Sequence, residues 1–329
     1  MILGLEQLRT LTHGALRIFE QDGEIAFRRF TEEAVNYYEG VREDFHRKTF
    51  ATSGIRLEFM TDSTSVSFDY HTAYASSRRF YYFDVMVDGV LVDHFGHNNI
   101  AEARSSYKLA LEEGTHTVCI YFPNLASAAL SNFTLDDGAM YAPVSRPVKL
   151  LCYGDSITQG YDAIYASQSY ANVLADKLHA EVVDEGIGGE YFCPGLLDHA
   201  IPFSPDIVTV AYGTNDWSSK ERDDIAARAD AFFAKLKALY PNAKIFSVTP
   251  IWRGDHARTP TPKSGLFEEI RLLLKHTAER NGVIAIDGDP LVPHIKEVFA
   301  PDCLHPNDMG FKFYANALYS AMLPHLKED

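Results

Sequence analysis

The feature that most constrains the fold of this chain is a regular alternation of strands and helices from about residue 145 to the C-terminus. Apolar segments of strand length, such as VKLLCY and DIVTVAYG, alternate with longer segments of helical spacing, such as SYANVLADKLHA. Strands that alternate with helices predict a parallel sheet covered by helices on both faces. We therefore predict an α/β/α domain over residues 145–329.

The sequence before residue 145 follows a different pattern. Short runs alternate apolar and polar residues, and Asp22-Gly23 and Asp88-Gly89 separate two pairs of such runs as hairpin turns would. IRLEFMTDSTSVSFDY repeats the pattern around a polar turn, and no helical period of useful length is evident. An all-β, jelly-roll-like sandwich is therefore predicted for residues 1–144, with Pro143 and Pro147 marking the linker.

Charge and composition limit the partners of this chain. The formal net charge of −15 disfavours nucleic acid, and no apolar run reaches membrane-spanning length. Glu6, Arg9 and Arg17 interrupt the N-terminal stretch, so no secretory signal is expected. The cysteines lack metal-type spacing, and we expect reduced thiols in a cytoplasmic protein, although two disulfides are compatible with them: Cys119, Cys152, Cys193 and Cys303.

Polar loops follow the predicted parallel strands at the points where ligands bind in such sheets, beyond the carboxyl ends of the strands. GDS (154–156) follows the first strand, GIGGE (186–190) the second and GTND (213–216) the third. DCLHPND (302–308) precedes the last helix. We expect these four loops to lie on one rim of the sheet.

Together these loops contain the groups that acyl transfer through a covalent intermediate requires. Ser156 would be the nucleophile, His305 its general base and Asp302 the acceptor that holds the imidazole. The backbone N–H groups of Ser156 and Gly189 and the side-chain amide of Asn215 would bind the oxyanion, each worth about 3–4 kcal/mol in the transition state. This chemistry needs no cofactor and no metal.

Each loop also has a simpler interpretation when taken alone. GDS could cap a helix, and Asp216 is predicted to cap the helix that follows it. GIGGE lacks the Lys-Ser/Thr ending of a phosphate-binding loop. An Asp-x-x-His pair recurs at Asp176 and His179, near the end of a helix that runs to the opposite rim. Only the four loops in order favour the catalytic interpretation.

These loops resemble the four blocks that define the SGNH (GDSL-type) hydrolases: GDS, the glycine of VVDEGIGGE, GTND and DCLH. The resemblance covers residues 148–326 and implies a flavodoxin-like domain in which the residues named above have the same roles. Asp184 stands where the family often has asparagine, and Gly188 is the alternative to Gly189 as oxyanion donor.

A β-sandwich before such a domain resembles the two-domain carbohydrate esterases of family 2. The resemblance implies a serine esterase that removes small acyl groups, acetyl first, from a small-molecule or oligosaccharide ester. It makes the β-domain a candidate carbohydrate contact. The alternatives are a lipase, thioesterase or arylesterase with longer acyl specificity, or a carbohydrate-binding protein whose hydrolase domain is only a scaffold.

Residues beside the catalytic loops are candidates for substrate contacts, because aromatic rings suit sugar faces and acyl groups. Packing is the alternative role for the aromatic members of this set: Asp155, Tyr161, Tyr191, Trp217 and Trp252. The polar segment 253–265 is predicted to form a loop over the rim. His94 and His97 are predicted to lie in a surface loop rather than to bind a metal.

Overall fold

The computed structural model describes residues 1–199, 201–258 and 261–327. The chain forms two compact units, one of Met1–Pro147 with Tyr165–Ser167 and the other of Val148–Ile164 with Gln168–Asp329. Among the described residues, no helix combines the length and the apolar character that crossing a membrane requires. Short 3₁₀ turns span Ala166–Gln168, Pro194–Asp198, Asp289–Leu291 and Lys296–Val298.

The first unit is built on two antiparallel sheets. Its strands are β1 (Thr12–His13), β2 (Arg17–Gln21), β3 (Glu24–Arg28), β4 (Arg56–Thr61), β5 (Ser65–Tyr74), β6 (Tyr81–Val87), β7 (Val90–His97), β8 (Ala103–Ala110), β9 (His116–Tyr121), β10 (Ala126–Leu135) and β11 (Tyr141–Pro143). One sheet has the order β1-β4-β9-β6-β7, with β11 beside β4, and the other has the order β2-β3-β10-β5-β8.

Apolar residues of both sheets share one core, as the alternating pattern predicts. Leu57 and Phe59 of β4 and Val66 and Phe68 of β5 belong to the same buried cluster, although β4 and β5 lie in different sheets. The predicted sandwich of two antiparallel sheets is therefore confirmed. The polar turn between β4 and β5 is a crossover between sheets and not a hairpin, because the two apolar faces meet each other across the core.

The hairpin turns at Asp22-Gly23 and Asp88-Gly89 are confirmed by the antiparallel pairs β2–β3 and β6–β7. Both residues of each turn have positive φ, with Asp22 at 53° and Gly23 at 77°. A two-residue turn with φ positive at both positions matches the twist of the strands that it joins. His94 and His97 lie in β7 and not in a surface loop, and Nδ1 of His94 donates a 2.7 Å hydrogen bond to the carboxylate of Asp84.

The expectation that the first unit lacks helices is wrong. It contains α1 (Leu5–Leu11), α2 (Glu32–Val41) and α3 (Glu43–Lys48). The hydroxyl of Thr31 accepts a 3.2 Å bond from the N–H of Ala34 and caps α2, whose apolar face buries Ala34, Val35 and Tyr38. Thr31 followed by Glu32 and Glu33 is a sequence pattern typical of a helix start, but it stands among segments with strand periodicity.

The second unit is a parallel sheet between helices. Its strands are β12 (Val148–Gly154), β13 (Ala180–Gly186), β14 (Ile207–Ala211), β15 (Lys244–Val248) and β16 (Ile284–Ile286). Its helices are α4 (Ser156–Gln159), α5 (Tyr170–Leu178), α6 (Thr214–Ser219), α7 (Arg222–Leu239), α8 (Phe267–Arg280) and α9 (Asp308–Leu326). The strand order β13-β12-β14-β15-β16, parallel throughout, confirms the predicted flavodoxin-like α/β domain.

Alternate residues of β12 point to opposite faces of this sheet. Leu150 and Cys152 share a core with residues of α5 and α9, whereas the ring of Tyr153 packs at 5.7 Å on Phe232 of α7. At the end of the strand, Gly154 pairs with Gly186 of β13 and with Ala211 of β14. The loops that follow these three strands therefore leave the sheet at the same level.

Candidate active site

Ser156 lies at the junction between β12 and α4. It is the first residue of α4, and the carboxylate of Asp155 caps the helix by accepting a 3.0 Å bond from the N–H of Ile157. Within GDS, Asp155 therefore has the capping role, and Ser156 is available for the proposed role of nucleophile. Asp155 is only 1% exposed, and the structure shows its carboxylate in this capping bond.

Ser156, His305 and Asp302 form a continuous line of hydrogen bonds. Nε2 of His305 lies 2.8 Å from Oγ of Ser156, and Nδ1 lies 2.6 Å from Oδ2 of Asp302. An ionised carboxylate can only accept a hydrogen bond, so Nδ1 carries the proton. The lone pair of Nε2 is then directed at the serine hydroxyl, which is the arrangement a general base requires.

The environment of Asp302 keeps its carboxylate ionised. Burial raises the pKa of Asp302, but bonds from the imidazole of His305 and from the N–H groups of Leu304 and His305 outweigh it and hold the pKa well below its usual range. These same backbone bonds fold the loop after Asp302 back on itself. The spacing of three residues between Asp302 and His305 therefore serves both the geometry and the charge of the pair.

A second carboxylate, which sequence reasoning missed, also faces His305. Oδ2 of Asp162 lies 3.4 Å from Nδ1 of His305, and its side chain is 16% exposed. Asp162 has φ of 67°, a left-handed conformation that aspartate tolerates better than most residues. It lies in the stretch that contains Ser156, but no spacing rule singles it out, and only the folded loop brings it to the imidazole.

The expected oxyanion donors lie on neighbouring loops. The N–H of Gly188 donates a 2.7 Å bond to Oε1 of Gln159, whereas Gly189 follows with φ of 85°. The side-chain amide of Asn215 donates a 2.9 Å bond to the backbone carbonyl of Glu190. An amide nitrogen has two donor hydrogens, so this bond orients Asn215 and uses only one of them.

Asp216 does not cap the helix that follows it. Gly213 is the N-cap of α6, and the buried carboxylate of Asp216 accepts a 3.2 Å bond from the N–H of Phe192. It therefore links the loop after β14 to the loop after β13. Burial raises the pKa of Asp216 to about 7 and, likewise, the pKa of Asp155 to about 6.

The loop after β15 contributes Arg253, which the sequence analysis also missed. This residue is 6% exposed, and its guanidinium group donates a 3.1 Å bond to the backbone carbonyl of Thr214. The N–H of the next residue, Gly254, donates a 2.7 Å bond to the carbonyl of Cys303. The described part of the predicted rim loop 253–265 thus contacts the loops of Asn215 and His305, while Thr259 and Pro260 lie outside the described residues.

The aromatic candidates separate into different environments. The ring of Tyr161 stacks on that of His305, with centroids 5.4 Å apart. Trp217 is 1% exposed and donates a 3.0 Å bond from its indole N–H to the carbonyl of Gly265, an environment that favours the packing role for this residue. The ammonium group of Lys220 lies over the ring of Tyr191, 3.8 Å from the ring centroid.

Trp252, the remaining aromatic candidate, is half-buried. Its ring lies 5.5 Å from that of His294 and 5.1 Å from that of Phe299. Of the five predicted substrate contacts, the structure therefore brings Tyr161 directly against the Ser156–His305–Asp302 line.

The side chains that could bind a metal ion lie around His305. Within the described ranges, Asp162, Asp302 and His305 each offer one ligand atom, and these atoms lie within 4.8 Å of one another. A cation there would have to replace the hydrogen bond between His305 and Asp302. The cysteines are free thiols, with Cys303 partly exposed and the other three buried.

Comparisons with known proteins agree with this geometry. Residues 152–313 match the GDSL-like lipase/acylhydrolase family. No curated protein sequence matches the chain.

Several solved structures share the fold of the chain at low identity. A salicylyl-acyltransferase of a tetracycline biosynthetic pathway is 20% identical, with a TM-score of 0.81 over 96% of this chain and 94% of that one. A family two carbohydrate esterase from Clostridium thermocellum, in complex with cellohexaose, is 20% identical, with a TM-score of 0.66 over 84% and 94%. An acetyl xylan esterase from the rumen bacterium Butyrivibrio proteoclasticus is 18% identical, with a TM-score of 0.62 over 84% and 91%.

Proposed function

We propose that this chain removes small acyl groups, acetyl first, from carbohydrate esters through an acyl-enzyme intermediate. The chain is a carboxylic ester hydrolase, and its residues 152–313 belong to the GDSL-like lipase/acylhydrolase family. The observation that carries the proposal is the line of hydrogen bonds from Asp302 through His305 to Ser156, at 2.6 and 2.8 Å. It supplies a nucleophile, a base with a free lone pair and an ionised partner for the base.

In the first half of the proposed reaction, Oγ of Ser156 attacks the ester carbonyl carbon while its proton passes to Nε2 of His305. The carbonyl oxygen becomes an oxyanion. The N–H groups of Ser156 and Gly189 and the second amide hydrogen of Asn215 would bind it. Because the N–H of Gly188 is already bonded to Gln159, the structure favours Gly189 over Gly188 in this role.

The tetrahedral intermediate then collapses as the bond to the alcohol oxygen breaks. His305 returns its proton to that oxygen, so the alcohol leaves neutral and the acyl group remains on Ser156. In the second half, His305 removes a proton from water, the resulting hydroxyl attacks the acyl carbon, and Ser156 leaves with the proton from His305. Asp302 stabilises the imidazolium that forms in each half without taking the proton.

The substrate class is supported by fold and not by a bound ligand. The solved carbohydrate esterase and acetyl xylan esterase cover 84% of this chain, so their likeness includes both an all-β part and the hydrolase domain. The ring of Tyr161 stacks on His305, but Tyr161 is only 3% exposed, so it does not by itself argue for a sugar substrate. A fold alone does not set the substrate, so acyl length and alcohol must be tested.

The experiment compares p-nitrophenyl acetate, butyrate and octanoate with acetylated xylo- and cello-oligosaccharides as substrates. We expect kcat/KM to fall as the acyl chain lengthens and the acetylated sugars to be deacetylated. Intact-protein mass spectrometry after rapid quenching should detect one acetyl group, and peptide mapping should place it on Ser156. Ser156→Ala should lose activity by several orders of magnitude and remain unacylated while it stays folded.

The matched control is Ser320→Ala, which changes an exposed serine on α9. Near-normal hydrolysis by Ser156→Ala would overturn the mechanism. A higher kcat/KM for octanoate than for acetate would instead assign the chain to esterases of longer acyl groups. Folded wild-type protein that hydrolyses none of these esters yet binds the oligosaccharides would make the domain a scaffold.

A further inference from the structure

We propose that Asp162 is a positioning residue for His305, a second carboxylate that stabilises the imidazolium and takes over from Asp302 when Asp302 is lost. The inference deepens the proposed function and rests on it, since it assigns a role in the same proton transfer. Its basis is that two carboxylates, and not one, face Nδ1 of His305, at 2.6 Å from Asp302 and 3.4 Å from Asp162.

The two contacts differ in kind. The 2.6 Å contact is a short hydrogen bond to an ionised acceptor, whereas 3.4 Å exceeds the usual N–H···O distance of about 2.7–3.2 Å. Asp162 therefore acts mainly through its charge. Its side chain is also the less exposed of the two, 16% against 38% for Asp302, so water screens its charge less.

This arrangement favours the charged form of the imidazole. Two carboxylates held close together repel each other, and a neutral imidazole between them does not offset that repulsion. When His305 takes the proton of Ser156, the positive charge lies between two negative ones. The stabilisation is therefore larger in the transition state than in the resting enzyme, which is the condition for it to raise kcat.

The backbone supports a fixed position for this carboxylate. Asp162 has φ of 67° and Gly160, two residues earlier, has φ of 87°, so the chain turns sharply after α4. The N–H of Tyr161 also donates a 2.9 Å bond to the carbonyl of Ser156. The segment that holds Asp162 is thus anchored to the nucleophile itself.

The pH behaviour of His305 depends on all the groups that face it. The titratable groups near the imidazole include Cys303 and Asp302 on its own loop and, from the segment after β12, Asp155, Tyr161 and Asp162. Of these, Asp302 and Asp162 contact Nδ1. Removing the charge of Asp162 should make protonation of His305 less favourable and so extend activity to lower pH.

The test uses Asp162→Asn and Asp162→Gly, because asparagine and glycine both accept a left-handed backbone. We expect the acidic limb of the kcat/KM profile to move down by about 0.5–1 pH unit and the plateau to fall about three- to tenfold. Glu268→Gln, which removes one exposed charge from α8, is the control and should change neither.

A double-mutant cycle tests whether the carboxylate of Asp162 takes over the role of Asp302 when Asp302 is removed. In an Asp302→Ala background, Asp162→Asn should reduce kcat/KM by about tenfold more than it does in the wild type. Additive losses together with an unmoved acidic limb would overturn the proposal, because a merely structural role would give that pattern.

A readout independent of esterase activity separates this inference from the proposed function. The imidazole of His305 is titrated by nitrogen-15 NMR in wild type, Asp162→Asn and Glu268→Gln. A lower midpoint in Asp162→Asn alone supports the inference even if no ester is hydrolysed, in which case only the proposed function fails. An unchanged midpoint overturns the inference even if the esterase is fully active.

Discussion

The side-chain amide of Asn215 donates a 2.9 Å hydrogen bond to the backbone carbonyl of Glu190, and so joins the loop after β14 to the loop after β13. The carboxylate of Asp216, the next residue, accepts a bond from Phe192 on that second loop. The two loops that supply the expected oxyanion donors are therefore fixed to each other before substrate arrives. Donors that are already oriented need no reorganisation when charge develops on the substrate.

Asn215→Ala should lower kcat by about 10²–10³ with a smaller change in KM, because the amide would stabilise an oxyanion that exists only in the transition state. Steady-state kinetics with p-nitrophenyl acetate measures both constants. Asn316→Ala, which changes an exposed asparagine on α9, should leave both constants nearly unchanged. A change confined to KM would make Asn215 a ground-state binding residue.

Gly188→Ala should impair both stability and activity. A Cβ atom at Gly188 would lie 2.7 Å from ring atoms of Tyr161, which stacks on His305, so the ring must shift. Such overpacking costs about 1–3 kcal/mol, and the displaced ring should disturb the base. Thermal unfolding and kcat/KM measure the two effects.

The control for this prediction is Gly40→Ala, since a Cβ there meets nothing within 4 Å and the residue lies within α2. It should stabilise the protein slightly through helix propensity and leave activity unchanged. Equal behaviour of the two alanine variants would contradict the close packing of Tyr161 on Gly188.

Asp302→Asn should be more harmful than Asp302→Ala. The amide of asparagine can donate to Nδ1 of His305, which moves the ring proton to Nε2 and removes the lone pair that faces Ser156. We expect kcat/KM to fall by about 10³–10⁴ for the asparagine variant. Alanine leaves the carboxylate of Asp162 beside Nδ1 and should cost less. Alanine proving the worse of the two would exclude the tautomer effect.

Asp216→Asn should change how stability depends on pH. The pKa of Asp216 is raised to about 7 in the folded protein, against about 3.9 when unfolded, so between these values the folded form holds a proton that the unfolded form releases. The free energy of unfolding should therefore fall as pH rises from about 4 to about 7, by about 2–4 kcal/mol. Asparagine can still accept the bond from Phe192 but carries no charge.

Urea unfolding at pH 5, 6, 7 and 8 measures this difference, and the variant should be more stable than wild type at pH 8. Asp230→Asn gives a control of opposite sign, because hydrogen bonds from Asn281 and Arg280 lower the pKa of Asp230 and its contribution is present at high pH. If wild type and Asp216→Asn had parallel pH profiles, Asp216 would not be protonated in the folded protein.

The sequence alone determined the two architectures and the order of the four loops. Period-2 alternation with turn residues marks a half-buried antiparallel sheet, and strands alternating with helices mark a parallel one, because each pattern follows from which faces are buried. The loops of Ser156, Gly189, Asn215 and His305 could be placed on one rim because every parallel strand ends at the same edge. These inferences depend only on local periodicity and chain direction.

What required the tertiary structure depends on contacts between residues far apart in sequence. The position of Asp162 beside His305, the burial of Trp217 and the bond of Asp216 to Phe192 are not encoded in any local spacing. The helix α2 was obscured because its capping residue stands among strands. A carboxylate, an indole or a capping side chain has several possible partners, and only the folded loops decide which of them comes within bonding distance.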